Sequence, residues 1–157
     1  SNKNINFYSI ESDLLCFKVA KKNLKNNLDK VKLILGRVHD LEDLHYVNKN
    51  VIFDFGYGDK EYEWFIQDLR RYKKIKNVSN QIPNKIDLLL LDGGEFSGYA
   101  DFLSLYLRSK FIVLDDCNSY KQHNVLRFIQ KNSNNFQLIY DSNNRVGLKI
   151  FHHLRSV

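Results

Sequence analysis

The sequence has little of what marks a secreted, fibrous or membrane protein. Its 157 residues include one proline, seven glycines and two cysteines, and methionine is absent. The cysteines, Cys16 and Cys117, form no C-x-x-C pair, which argues against a disulfide framework and against a structural zinc site. We therefore expect two reduced thiols in a cytoplasmic protein.

Long hydrophobic runs are also missing. No apolar segment approaches the roughly 20 residues that a helix needs to cross a bilayer, so the sequence predicts no transmembrane helix. No hydrophobic region opens the chain, which argues against a signal peptide. We therefore expect no membrane partner.

What is present is the composition of a globular protein. Hydrophobic residues make up 43% and aromatic residues 13% of the chain, which excludes disorder and fits a single domain over residues 1–157. The net charge of +6 is compatible with nucleic-acid binding. The basic clusters at residues 21–25 and 70–76 lie on predicted amphipathic helices, however, and solvated helix faces explain them. Nucleic acid is therefore allowed as a partner but not favoured.

Strand-like and helix-like segments alternate along the chain. The patterns predict strands at 5–10, 31–35, 86–91 and 110–114, and helices at 14–24, 60–75, 99–107 and 120–130. A polar turn separates the last two strand-like segments, 136–140 and 146–151, which predicts an antiparallel hairpin. The order indicates a three-layer, Rossmann-like α/β fold. Its sheet is expected to be doubly wound and mostly parallel. Four consecutive leucines at 88–91 predict a strand that is buried on both faces.

Acidic residues follow three of the predicted strands. They are Glu11, Asp92 and the adjacent pair Asp115 and Asp116. Ligands of an open parallel sheet bind beyond the carboxyl ends of its strands, so we expect these side chains to meet at one rim. Each acid alone could instead cap the following helix. Together they favour a site, because adjacent carboxylates repel each other and need a cation or a partner.

The first of these strands carries a resemblance to a known family. Residues 8–13 (YSIESD), with the helical segment 20–24 (AKKNL), resemble the second strand and following helix of class I S-adenosylmethionine-dependent methyltransferases. In that family, the acid at the strand tip holds the two ribose hydroxyls of the cofactor, and a carboxylate can accept both hydrogen bonds. The resemblance implies that Glu11 and the neighbouring Ser12 bind S-adenosylmethionine.

The next two strands extend the resemblance. Residues 31–36 resemble the third strand of the family, and the residues after its glycine lie near the adenine ring there. This implies that Gly36 and Arg37 contact the cofactor, although the family often has an acid where this chain has Arg37. Residues 86–92 resemble the fourth strand, which implies that Asp92 and Gly93 lie near the cofactor at the methyl-transfer site.

The spacing of Asp92, Tyr99, Asp115 and Asp116 is similar to that in metal-dependent O-methyltransferases of the catechol type. There the tip acid of strand four and two consecutive residues after strand five bind a divalent cation. The resemblance thus implies that Asp92, Asp115 and Asp116 bind Mg²⁺ or Ca²⁺, ions that prefer oxygen ligands. Such an ion would lower the pKa of a substrate hydroxyl.

The catalytic base is harder to assign. The catechol-type enzymes carry a lysine shortly after the strand-four acid, where this chain has residues 93–96 (GGEF). Together with Asp92, we therefore name Glu95 and Lys121 as candidate catalytic residues. The segments LDGGEF, LDD and RVG are also similar to methyltransferase-like proteins that are encoded with bacterial surface-polysaccharide genes. We expect the acceptor to be a hydroxyl of a small molecule or a sugar.

The glycine-rich cofactor loop that follows the first strand of this family is not found before residue 7. In one interpretation, the chain lacks that first strand, and residues 5–10 form the second. In another, residues 5–10 are the first strand of a complete seven-strand domain whose third strand is 51–55. A third candidate is the D-x-G-x-G segment at 54–58. We favour the first interpretation, because Glu11 and the helix after it fit the second strand.

Two other functions stay open. A non-catalytic Rossmann-like module for binding or assembly is favoured by the missing glycine-rich loop. An RNA-modifying methyltransferase is supported only by the positive net charge.

The five histidines show no metal-ligand spacing, and we expect His152 and His153 at the surface near the end of the chain. No serine has a G-x-S-x-G setting, which argues against a hydrolase.

Overall fold

A computed structural model describes residues 5–155, which form an α/β fold with mixed parallel and antiparallel strands. Six strands are found there: β1 (Phe7–Glu11), β2 (Val31–Leu35), β3 (Ile86–Leu91), β4 (Ser109–Asp115), β5 (Phe136–Ser142) and β6 (Leu148–His153). The α-helices of this part are α1 (Leu14–Asn23), α2 (Lys49–Asp54), α3 (Asp59–Tyr72), α4 (Gly98–Leu105) and α5 (Tyr120–Lys131). Short 3-10 turns lie at Leu41–Leu44, Ser79–Gln81, Tyr106–Arg108 and Ser133–Asn135.

Helix α1 begins at a side-chain cap. The carboxylate of Asp13 accepts hydrogen bonds from the backbone N–H groups of Leu15 and Cys16, at 2.8 and 2.9 Å. These bonds satisfy two amides that have no partner inside the helix. No residue of α1 is buried, and Leu15 and Val19 are largely exposed. The helix therefore presents uncovered apolar surface.

The strands of the described part form two sheets. Strands β1 and β2 pair in parallel, and the second sheet has the order β3, β4, β6, β5. Strands β3 and β4 are parallel, whereas β6 is antiparallel to both of its neighbours. Beyond the end of β2, Arg37 bridges to Asn77. Within residues 5–155, the outer edges of β1 and of β3 have no partner strand.

One hydrophobic core joins the two sheets. It contains Ile34 of β2, Leu89 of β3 and Ile112 of β4, with Phe102 of α4 and Val125 of α5. Helices α4 and α5 therefore cover one face of the four-stranded sheet. Because the core runs from one sheet to the other, the two sheets are parts of one structure.

Strand β3 is covered on one face only. Leu89 and Leu91 are 8% and 5% exposed, whereas Leu88 and Leu90 are 59% and 56% exposed. The prediction that this strand is buried on both faces is wrong. Successive side chains of a strand point to opposite faces, and α4 and α5 cover only the face that carries Leu89 and Leu91.

Residues 51–55 are not a strand, so the seven-strand interpretation is wrong on this point. They belong mainly to α2, where the side chain of Asn48 caps the helix by accepting from the N–H of Val51 at 3.1 Å. The glycine-rich segment 54–58 consequently joins two helices and does not follow a strand. Gly56 has a φ of +97°, as a tight turn requires, and Gly58 precedes α3.

The predicted C-terminal hairpin is confirmed, with β5 and β6 antiparallel and a register shift between Leu138 and Tyr140. His153 lies in β6 and is buried, and its ring stacks on Phe136 with centroids 4.9 Å apart. The prediction that His153 lies at the surface is therefore wrong. The strand that carries it continues to nearly the end of the described chain, and aromatic neighbours cover it.

Both cysteines are free thiols, as expected from their spacing. Cys16 is exposed on α1, and Cys117 is buried after β4. Burial raises the pKa of the Cys117 thiol, so this group is unreactive at neutral pH. Among the helices of residues 5–155, none combines the length and the hydropathy needed to cross a membrane.

Candidate functional site

Three carboxylates meet at the carboxyl ends of β3 and β4. Asp92 directly follows β3, Asp115 ends β4, and Asp116 is the next residue. One carboxylate oxygen from each lies within 4.8 Å of the other two. The expected convergence of these three side chains is therefore observed, and we call them the carboxylate cluster.

Lys121 brings a cation into the carboxylate cluster from α5. Its Nζ donates to Asp92 Oδ1 and to Asp116 Oδ2, each at 2.8 Å, and its side chain is 7% exposed. Burial alone would lower the pKa of Lys121, but the hydrogen bonds and charges of the two aspartates outweigh it and raise the pKa. Lys121 therefore keeps its proton at neutral pH and offsets part of the negative charge.

A sharp turn positions Asp116. Its φ is +56°, a left-handed conformation that non-glycine residues seldom adopt. Its N–H donates to Asp115 Oδ1 at 3.0 Å, and its carbonyl accepts from Ser119 Oγ at 2.9 Å. Such conformations cluster at functional sites, where the surrounding structure holds them in place. The turn directs the Asp116 carboxylate toward Lys121.

Glu95 contacts the first turn of α5, the helix that carries Lys121. Its Oε1 accepts from the hydroxyl of Tyr57 at 2.7 Å and from the backbone N–H of Lys121 at 3.2 Å. Burial and the adjacent Glu95 carboxylate raise the pKa of Tyr57 to about 12. The two contacts hold Glu95 beside the first turn of α5, next to the carboxylate cluster.

The glycines after β3 allow close packing. A Cβ on Gly94 would lie 2.7 Å from the hydroxyl of Tyr72, and one on Gly98 would lie 2.4 Å from the carbonyl oxygen of Lys121. A Cβ on Gly93 would lie 3.3 Å from a carboxylate oxygen of Asp101. Packing thus accounts for Gly94 and Gly98, and the cofactor contact of Gly93 stays a prediction.

Glu11 lies at the tip of the other sheet. Its Oε1 accepts from the N–H of Asp13 at 2.9 Å, and its carbonyl accepts from the N–H of Gly36 at 3.0 Å. Ser12 follows in the same turn. Within residues 5–155, no hydrogen bond or ion pair joins Glu11 to the carboxylate cluster. A Cβ on Gly36 would lie 2.6 Å from Val78, so packing requires this glycine.

Arg37 points into the structure. Its Nε donates to the carbonyl of Tyr72 at 3.3 Å, its Nη1 donates to the carbonyl of His39, and Nη1 lies 3.7 Å from the carboxylate of Asp40. The side chain is 13% exposed. Arg37 therefore ties the end of β2 to the end of α3, and its proximity to an adenine ring stays a prediction.

Sequence reasoning missed a buried polar network beside the glycine turn. His39 Nδ1 lies 2.7 Å from Asp101 Oδ1, and Ser97 Oγ donates to Asp101 Oδ2 at 2.9 Å. The rings of His39 and Tyr72 meet edge to face at 5.1 Å. His39 and Asp101 are 62 positions apart. No spacing rule joins them, because only the fold brings the end of β2 next to α4.

An open groove of about 520 Å³ lies between α1 and α3. Its lining includes four basic residues: Lys18, Arg70, Arg71 and Lys74. Arg71 donates to Asp13 at 3.2 Å and to Asp68 at 2.7 Å. Two carboxylates therefore offset part of the positive charge, so the groove lacks the uninterrupted basic surface that is typical of nucleic-acid binding.

Comparisons with known proteins supply no family for this chain. No model of a protein family matches it, and no curated protein matches it.

Proposed function

We propose that this chain is a Rossmann-like, S-adenosylmethionine-dependent methyltransferase-like domain that acts on a hydroxyl of a small molecule or a sugar. The observation that carries the proposal is the carboxylate cluster at the ends of two adjacent parallel strands, with its oxygens within 4.8 Å of one another. Open α/β sheets bind their ligands at this position.

Each of the two sheets has an acidic residue at the tip of an edge strand. Glu11 ends β1, and Asp92 follows β3. Open parallel sheets bind ligands beyond the carboxyl ends of their strands, which is the kind of position that the proposal requires of both acids.

The residues have separate roles in the proposed reaction. S-adenosylmethionine would supply a methyl group on a positively charged sulfur. Glu11 would accept hydrogen bonds from the two ribose hydroxyls, and the carboxylate cluster would orient the acceptor. The acceptor oxygen would take the methyl group as the carbon–sulfur bond breaks, and Glu95 would accept the hydroxyl proton. Alignment of these groups is the main requirement for such a transfer.

Glu95 suits the role of base better than Lys121. The two aspartates raise the pKa of Lys121 and hold it as an ammonium, which has no lone pair to accept a proton. Glu95 is an acceptor beside the cluster. We therefore infer that Lys121 acts as a fixed cation that keeps the carboxylates together and can donate to the acceptor oxygen.

A divalent cation would have to compete with Lys121 for the three carboxylates of the cluster. Three carboxylates suit Mg²⁺ or Ca²⁺. The ammonium of Lys121 already bonds to two of them, at 2.8 Å each. We propose that Lys121 takes the place of the ion here, and that an added ion binds only when this side chain withdraws.

Calorimetric titration with S-adenosylmethionine and S-adenosylhomocysteine tests the proposal. We expect binding by the unaltered protein, weakened about tenfold or more in Glu11→Gln, because hydrogen bonds to a charged group contribute about 1.5–3 kcal/mol. Glu63→Gln, at an exposed position of α3, is the matched control and should bind normally. Absence of binding by the unaltered protein contradicts the proposal, and normal binding by Glu11→Gln contradicts the ribose contact.

A non-catalytic binding or assembly module is the second candidate. The exposed Leu88 and Leu90 favour it, because apolar side chains on an uncovered sheet face suit the binding of another segment. This candidate predicts no heat of binding with either cofactor form, so the same titration separates the two functions.

A further inference from the structure

The open groove between α1 and α3 is large enough for a small molecule. Its volume of about 520 Å³ lies within the range of about 300–1,000 Å³ that is typical of ligand sites. Helix α1 contributes Leu14, Leu15 and Lys18 to the lining, and the other basic side chains come from α3 and the turn after it. No residue of the carboxylate cluster lines the groove, so it is a second candidate site.

Positive charge exceeds negative charge in this groove. Four cations line it, and Asp13 is the one acidic residue of the lining. Asp13 and Asp68 both pair with the same cation, Arg71. Within residues 5–155, no ion pair joins the other three basic side chains to a carboxylate. Four cations against two carboxylates leave a surplus of two positive charges.

The carboxylate of Asp13 does not prevent an anion from entering. Its Oδ1 accepts from the N–H groups of Leu15 and Cys16, and its Oδ2 accepts from Arg71. An anion in the groove therefore meets a carboxylate whose charge is already offset by three hydrogen bonds.

The dipole of α3 explains only part of this arrangement. Cations near the carboxyl end of a helix are stabilised by its dipole, which accounts for Arg70 and Arg71 in the last turn of α3. The dipole does not account for Lys18, which lies in the first half of α1 and lines the same groove. Cations of two helices thus converge on one groove, and their repulsion is relieved when an anion binds between them.

We propose that this groove binds the phosphate group of a small phosphorylated molecule, which Lys18, Arg70 and Lys74 hold. A phosphate monoester carries about 1.5–2 negative charges at neutral pH, which matches the surplus charge of the groove. The planar guanidinium of Arg70 can donate two parallel hydrogen bonds to phosphate oxygens. Leu14 and Leu15, which are 52% and 70% exposed in the same lining, contact an apolar part of the molecule.

A small molecule fits this groove better than a nucleic acid. Nucleic acids are bound by positive charge that follows many successive phosphates, whereas Asp13 and Asp68 interrupt the charge here. Phosphate binding in the groove requires neither S-adenosylmethionine nor the carboxylate cluster. It can therefore be measured whether or not the proposed methyl transfer takes place.

Calorimetric titration at low ionic strength with three probes tests the proposal. Phenyl phosphate should bind most tightly, because it combines a doubly charged phosphate with an apolar ring. Inorganic phosphate lacks the ring, and benzenesulfonate carries a single negative charge. Each of these two should bind about threefold or more weakly than phenyl phosphate.

Two double variants locate the site. Arg70→Gln/Lys74→Gln removes two exposed cations of the groove and should weaken the binding of phenyl phosphate about tenfold or more. Lys73→Gln/Lys76→Gln is the matched control, because it removes the same charge at exposed positions nearby that do not line the groove. It should change the affinity by less than about twofold, since salt and water screen distant surface charges.

Nuclear magnetic resonance gives a readout that needs no variant. Phenyl phosphate should shift the amide signals of Leu15 and Lys18, which border the groove. No detectable binding, shifts confined to other residues, or benzenesulfonate bound as tightly as phenyl phosphate would each overturn the proposal. So would equal affinities of the two double variants, because general attraction to a basic surface would then explain the binding.

Discussion

Lys121 determines which cation the carboxylate cluster holds. Its Nζ lies between Asp92 and Asp116, and its own side chain is buried, while the two aspartates are partly open to water. Solvent weakens each ion pair, so the pairs add little to stability. Their main consequence is chemical, because an ammonium occupies oxygens that would otherwise be free to bind an ion or a substrate.

Replacing Lys121 with methionine should convert the cluster into a cation site. Lys121→Met keeps the length of the side chain and removes its charge, which leaves three carboxylates without a counterion. We expect calorimetry to detect Ca²⁺ binding at least tenfold tighter than in the unaltered protein. The double variant Lys121→Met/Asp92→Asn should lose this gain. Equal affinity in the single variant and the unaltered protein would show that Lys121 does not compete with the ion.

Tyr72 should make the protein less stable at high pH. Burial, together with the charge of Asp101, raises the pKa of this buried tyrosine from 10.0 to about 12. The unfolded chain then loses the proton first, so stability falls as the pH rises from about 10 to about 12, by about 3 kcal/mol for two pKa units. Tyr72→Phe should reduce this fall by that amount in urea denaturation. Tyr140→Phe, at an exposed tyrosine, should leave it unchanged.

The sequence predicted part of the site at the level of residues. Asp92, Asp115 and Asp116 were identified because each follows an apolar run, and the ends of adjacent parallel strands meet at one edge. The counterion role of Lys121 was not predicted, because it depends on the direction in which α5 packs across the strand ends. His39 was not predicted either, because its partner is far away in the chain.

The packing of α4 against α5 depends on one small residue. Gly98 begins α4, and the carbonyl of Lys121 lies where a side chain would be, at 2.4 Å from an ideal Cβ. Any substitution must push the helices apart. Because Lys121 lies on α5, such a displacement would also move its ammonium away from the aspartates.

Gly98→Ala should therefore destabilise the protein. Overpacking of this kind typically costs about 1–3 kcal/mol, and we expect a loss of that size in the free energy of unfolding from urea denaturation. Gly58→Ala is the matched control, because the nearest atom to its Cβ would be 3.7 Å away. It should cost less than Gly98→Ala, about 1 kcal/mol or below, because it causes no clash and only exchanges glycine for alanine, a poorer residue at the N-cap of α3. Equal effects of the two substitutions would contradict the packing argument.

Most elements were predictable from local patterns. Strands β1 to β6 and helices α1, α3, α4 and α5 all lie close to their predicted positions, because each has a clear apolar period or a cap. Residues 51–55 were not predictable as a helix, because a run of five mostly apolar residues fits a short strand as well as a buried helix turn. The cap at Asn48 was the overlooked signal.

The whole molecule is a pair of sheets around one core, which the alternation of strands and helices did not predict. An α/β fold follows from that alternation. The division of the strands into two sheets does not follow from it, because no local pattern indicates which strands are neighbours. The exposure of one face of β3 was not predictable for a similar reason, since four consecutive leucines give no information about which face a helix covers.

The face of β3 that carries the exposed Leu88 and Leu90 should bind apolar dyes. The double variant Leu88→Lys/Leu90→Lys places charges on this face and should reduce the fluorescence of bound anilinonaphthalene sulfonate several-fold. Each of the two substitutions should change the free energy of unfolding by no more than about 0.5 kcal/mol, as at other surface positions. Leu107→Lys serves as the control. If the fluorescence of the double variant is undiminished, the dye binds at another surface of the protein.

The four-stranded sheet is built from one uninterrupted stretch, residues 86–153, and that stretch also carries Asp92, Asp115 and Lys121. Glu11 belongs to the separate pair of strands that the first 35 residues supply. Recombination upstream of residue 86 would thus replace the acid proposed for the ribose and preserve the rim proposed for the acceptor. Because Ile34 of β2 packs into the same core as the four-stranded sheet, such an exchange would have to keep an apolar side chain at this position.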